Sequence, residues 1–190
     1  MPTLQRMTAA ASQSVQSDRT SQRPKSAIDP ARAALLRAAN INPNTGLATD
    51  YLNHFNEAVM LLEMIPDIPE CAEDLLAWEP LSYSEHFTAT NFKARDLVIQ
   101  AYEQADPAIR SRFDHLTKTI NDILIAVSAA MREATQHGTR AKLAEEAASW
   151  LKPLVVQAGG IINGDTEAGS IPDQAEVDEV DPVEVIMSGM

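Results

Sequence analysis

Asp50, His54 and Glu57 are spaced i, i+4 and i+7, so on a helix they fall along one line. Two carboxylates and an imidazole are transition-metal ligands. With one more ligand from elsewhere they could hold a metal ion, which makes a metal-binding helical bundle the alternative reading of this chain. The plainer reading is a part-buried histidine held by the carboxylates of its own helix. A di-metal carboxylate centre would need two Glu-x-x-His motifs on facing helices and two further glutamates. The helical segments contain no Glu-x-x-His.

His115 lies in Asp114-His115-Leu116-Thr117-Lys118, roughly opposite the apolar stripe that runs through Leu116 and Ile120, so it should face water. An exposed histidine with a lysine one turn on resembles the phosphoacceptor of a histidine phosphotransfer helix, and this is a third reading of the chain. Such helices usually carry glycine straight after the lysine, and here that residue is Thr119. His137 falls in what reads as a last helical turn, where the helix dipole favours a cation. His86 follows a capping glutamate and has no evident partner. The one cysteine, Cys71, shares a helical side with Leu75 and Trp78, which marks a buried small apolar residue rather than a reactive thiolate. No Gly-x-Gly-x-x-Gly, P-loop or nucleophile-elbow motif occurs, so no nucleotide cofactor, and no cofactor of any other kind, is expected.

Composition narrows the classes further. The 190 residues suit one domain, and 45% apolar content is that of a globular chain. Seven glycines and 5% aromatics beside abundant alanine favour helix over strand. A net charge of −12 argues against nucleic acid as a partner, because phosphate binding needs a basic patch. A single cysteine permits no intramolecular disulfide and fits a reducing, cytoplasmic location. No run approaches the length of a membrane span, and the N-terminus lacks a secretory apolar region. It is rich in Ser and Arg and poor in acids, features shared with mitochondrial presequences.

The charge is unevenly placed. Residues 1–27 hold Arg6, Arg19, Arg23 and Lys25 against Asp18, a net of +3, and residues 164–190 hold eight acids and no base. Both segments lack a sustained apolar period and are expected to be disordered tails around a helical domain over residues 28–163. The acidic segment ends in Val183, Val185, Ile186 and Met187, a pattern expected of a short docking segment that orders on binding.

Within the domain, Asp29-Pro30 starts a helix that runs to Ala39, and Asn42-Pro43-Asn44-Thr45-Gly46 is a turn. A second helix spans Thr49 to Ile65 with Leu52, Phe55, Val59 and Leu62 on one face. A short helix covers Pro69 to Trp78. Ser82-Tyr83-Ser84-Glu85 is a capping box, opening a helix that should reach Ala105. Phe92 and Ile99 lie on its side away from Phe87 and Val98, and a helix apolar on two sides is contacted on two sides. The second contact is either another helix of the chain or a partner. Asp106-Pro107 starts a long helix to His137, stopped by Gly138. The last helix, from Thr139, should bury Leu143, Ala147, Trp150, Leu151 and Leu154, be kinked or split by Pro153, and close at Gly159-Gly160. The expected architecture is all-α, a bundle of about four main helices with one or two short ones. The expected role is a helical interaction or regulatory protein that contacts another protein or a second copy of itself.

Overall fold

A computed structural model describes residues 29–165. The chain is all-α. Its helices are α1 (Pro30–Ala38), α2 (Leu52–Met64), α3 (Cys71–Ala77), α4 (Tyr83–Ala89), α5 (Arg95–Glu103), α6 (Pro107–Glu133) and α7 (His137–Asn163), with a 3-10 turn at Thr49–Tyr51.

The start signals act as their chemistry dictates. Asp29 and Asp106 each precede a proline at the first helical position, and their carboxylates accept from the amides of Ala31 and Ala108. The Ser82 amide donates to the Glu85 carboxylate at 2.8 Å and the Glu85 amide to the Ser82 hydroxyl at 3.3 Å, which closes the capping box.

α7 is the hub, packed along α6 on one side and α2 on the other. Its inner face is rich in alanine: Ala144, Ala147, Ala148 and Ala158 are buried beside Leu151, Val155, Ile161 and Ile162. Small residues let neighbouring helices approach closely. At Gly159 an added Cβ would already stand 3.6 Å from a Leu52 methyl. α2 and α6 supply the bulk of the core with Phe55, Leu62, Phe113, Ile120, Leu124 and Met131, all 1% exposed or less.

The loop between α1 and the 3-10 turn is part of the core rather than a surface connector. Thr45 donates to the Ile162 carbonyl at 2.7 Å and the Asn42 amide donates to the same oxygen at 2.9 Å. Gly46 has φ +73°, and an added Cβ would lie 2.6 Å from the Ala101 carbonyl oxygen. Only glycine satisfies both the backbone conformation and the space.

Several boundaries and placements differ from the sequence expectations. The segment from Ser82 to Ala105 is two helices, broken at residues 90–94. On one straight helix Phe87 and Phe92 would be about 140° apart. The break lets Phe92 turn back onto Phe87, edge to face at 4.9 Å. α6 stops at Glu133, before Gly138. Its stop is a side chain of the next helix: the Arg140 guanidinium donates to the Met131 and Ala134 carbonyls at 3.1 and 2.9 Å, satisfying the open C-terminal end. His137 therefore begins α7 rather than ending α6, and Gly138 lies inside α7's first turn. Pro153 does not split α7, which runs unbroken through it. Both Pro153 and Ser149 face water, so the carbonyl that loses its amide partner is solvated. Gly159-Gly160 does not close α7 either. Gly164, at φ +93°, forms the left-handed cap. Trp150 stands about 100° round the helix from Leu151 and is 55% exposed instead of buried.

Candidate functional site

The residues with chemical potential gather where α2 meets the α3–α4 connection. His54 is buried, and its ring stacks on the Trp78 indole at 4.5 Å and 25° between planes. Its Nε2 accepts from the Leu81 amide at 3.2 Å, and the Trp78 Nε1–H donates to the His54 carbonyl at 3.2 Å. With Nε2 accepting, the neutral ring carries its proton on Nδ1. The His86 ring is 5.8 Å away and the Tyr51 ring 6.5 Å. Burial pushes the His54 imidazole down to about 4, the neighbouring His86 adds to the shift, and the backbone at Glu79 opposes it. His86 is lowered too, by burial, against the opposing pull of the Asp50 carboxylate and backbone.

The ligand line proposed from the spacing is not assembled. Asp50 belongs to the 3-10 turn, whose tighter winding takes it off the α2 line. It bears on His86 instead. Glu57 is exposed, and His54 already accepts a backbone hydrogen bond. Among the described residues no group of three or more His, Cys, Asp or Glu side chains stands where it could hold a metal ion. The expected carboxylate partners of His54 are replaced by an indole and a backbone amide. Both come from a connector that spacing within α2 does not reveal.

Two tyrosines close the inner side of this cluster. Tyr51 donates to the Leu81 carbonyl at 2.7 Å. Tyr83 holds the Ala48 amide at 2.8 Å. Burial raises both phenols above their ordinary range, so they act as neutral hydrogen-bonding struts. Tyr102, stacked on Tyr83 at 4.5 Å, donates to the Asp114 carboxylate at 2.8 Å and is pushed up to about 12 by burial and by that carboxylate.

His115 is exposed on α6 and borders a cleft with Arg112, Thr119, Leu154 and Gln157. The Thr119 hydroxyl donates to the His115 carbonyl at 3.0 Å, and Lys118 pairs with Asp122 at 2.6 Å. That lysine is turned along α6 to a carboxylate. Cys71 is buried against the core.

A second feature is an apolar groove between the C-terminal half of α1 and the α4–α5 connector. It has a volume of about 520 Å3 and is lined by Leu35, Ala38, Phe92, Ala94 and Leu97, together with Asn40 and Lys93. Leu35 is 56% exposed there. Phe92 and Ile99, singled out by the sequence, are separated. Phe92 is a half-buried wall of the groove. Ile99 is half-buried against the core outside it. The groove as a whole has no signature in the sequence, because its two walls are more than fifty residues apart and meet only through the break at residues 90–94. Val183, Val185, Ile186 and Met187 lie outside the described residues, as do nearly all of the two terminal segments. No protein-family model matches this chain, and neither the curated proteins nor the solved structures yield a match.

Proposed function

We propose that this chain is an interaction protein that takes a short apolar segment of another protein into the groove between α1 and the α4–α5 connector. The observation that carries the reading is the groove itself: Leu35, Ala38, Phe92 and Leu97 line a concave apolar surface open to solvent. Apolar grooves of this kind suit the apolar face of a helix or of an extended segment. Lys93 in its lining and Arg37 in the neighbouring cleft favour a segment that also carries acids.

A photo-crosslinking side chain placed at position 35 of the full chain, exposed to lysate of the native host, tests the reading. A discrete adduct should form there. It should be absent when the same group stands at position 122 on α6, and it should be lost on Leu97→Asp. Equal labelling at both positions, or an adduct indifferent to Leu97→Asp, refutes it.

A further inference from the structure

The groove's surroundings bear on what fills it when no partner is present. α7 ends at Asn163, and its last turn is tied down by Asn42 and Thr45, which both donate to the Ile162 carbonyl. A polar cleft lined by Ile162, Asn163, Asn42, Arg37 and Asn40 opens beside that turn. Asn40 also lines the apolar groove. Cleft and groove thus share Asn40, and the chain leaves the described residues at Asp165, two residues past Asn163, where the Asp165 carbonyl accepts from Arg112 of α6 at 3.5 Å.

Residues 166–190 carry seven acids and no base. Arg37 lines the cleft and Lys93 the groove, and neither forms an ion pair with another described residue. Past the acids come Val183, Val185, Ile186 and Met187. Seventeen residues lie between Asp165 and Val183, and that stretch can reach at most about 60 Å. A domain of this size has a radius of gyration of about 14 Å, so the reach is ample. The other terminal segment is a poorer occupant. Its net charge over residues 1–27 is +3, which Arg37 and Lys93 repel. It also enters α1 at Asp29, the end of that helix away from the groove.

We infer that the groove is filled in the isolated chain by the chain's own C-terminal segment, with Val183, Val185, Ile186 and Met187 on Leu35, Ala38, Phe92 and Leu97 and the preceding acids along Arg37 and Lys93. This rests on the groove reading above. It adds regulation to it, since an external segment must displace the internal one. Occupancy should fall as salt rises, because charge holds the acids in place.

Paramagnetic relaxation enhancement in the full chain is the test. A nitroxide is attached at Ser188→Cys in a Cys71→Ala background, and amides are read at Leu35, Ala38 and Leu97, with Glu145 on α7 as the distant control. Groove amides should relax several-fold faster than the control. The effect should vanish with Ile186→Asp, weaken with Lys93→Glu or in high salt, and be absent when spin-labelled and isotope-labelled chains are separate molecules. Enhancement that is uniform or missing overturns the inference. Enhancement arising only between separate molecules also overturns it and makes a second copy the occupant. A titration of the Ile186→Asp chain with a synthetic peptide of residues 178–190 separates the two readings. Peptide shifts at Leu35 and Leu97 without intramolecular enhancement remove the internal occupant and leave the groove. No shift in either experiment removes both.

Discussion

Acidification from about pH 7.5 to about pH 5 should cost the folded chain about 2 kcal/mol through His54 alone. The ring is buried between Trp78, Tyr51 and His86, its Nε2 is committed to the Leu81 amide, and its pKa sits near 4. In the unfolded chain a histidine titrates at about 6.5. The folded pKa is depressed, so above pH ~6.5 both states are neutral and the full stability is present. As pH falls below ~6.5 the unfolded chain takes up a proton that the folded chain refuses, and stability declines until the folded ring titrates near 4. Linkage over that window gives about 2 kcal/mol by pH ~5 and about 3 kcal/mol when complete. His86 is shifted the same way, and carboxylates titrate below, so the contribution must be isolated by difference. Urea melts of the native chain and of His54→Gln, followed by fluorescence of Trp78 against His54, supply that difference. The native chain should lose about 2 kcal/mol more than the variant between the two pH values. Parallel pH slopes for the two proteins would refute the assignment of a buried neutral imidazole. A variant that melts at the same midpoint as the native chain at pH ~7.5 would show that the indole stack contributes little.

Gly46→Ala forces a positive φ on a side-chain-bearing residue and drives a Cβ against the Ala101 carbonyl. It should destabilise by more than about 2 kcal/mol in thermal or urea melts. Ile120→Ala opens a cavity between α6 and α7 and should cost about 3 kcal/mol. His115→Ala on the opposite, exposed side of the same helix should stay within about 0.5 kcal/mol, read in the same melts. Arg140→Gln removes the guanidinium that caps α6 and pairs with Glu73. It should cost about 1–2 kcal/mol and speed amide exchange in the last turn of α6.

Helix content, the two Asp-Pro helix starts and the main stripes were legible in the sequence, because these follow from local chemistry. An aspartate before a proline caps a helix wherever it stands. Leu52, Phe55, Val59 and Leu62 recur at the helical period, and all four are buried. The same holds for Phe113, Leu116, Ile120, Leu124 and Val127 on α6. What local spacing misread depends on contacts between distant segments. The α6 stop is set by Arg140 of the following helix, so Gly138 was a false signal. The break at residues 90–94 brings Phe92 onto Phe87, a gain in burial that helix propensity cannot register. Pro153 is tolerated because packing leaves its side of α7 in water. His54 illustrates the same division most sharply: the sequence supplied an imidazole with carboxylates at helical spacing, but a 3-10 turn took Asp50 away and a connector brought Trp78 and Leu81 in. Periodicity reports which side of a helix is apolar. Which neighbour meets that side, and what groove is left between them, is decided only when the segments pack.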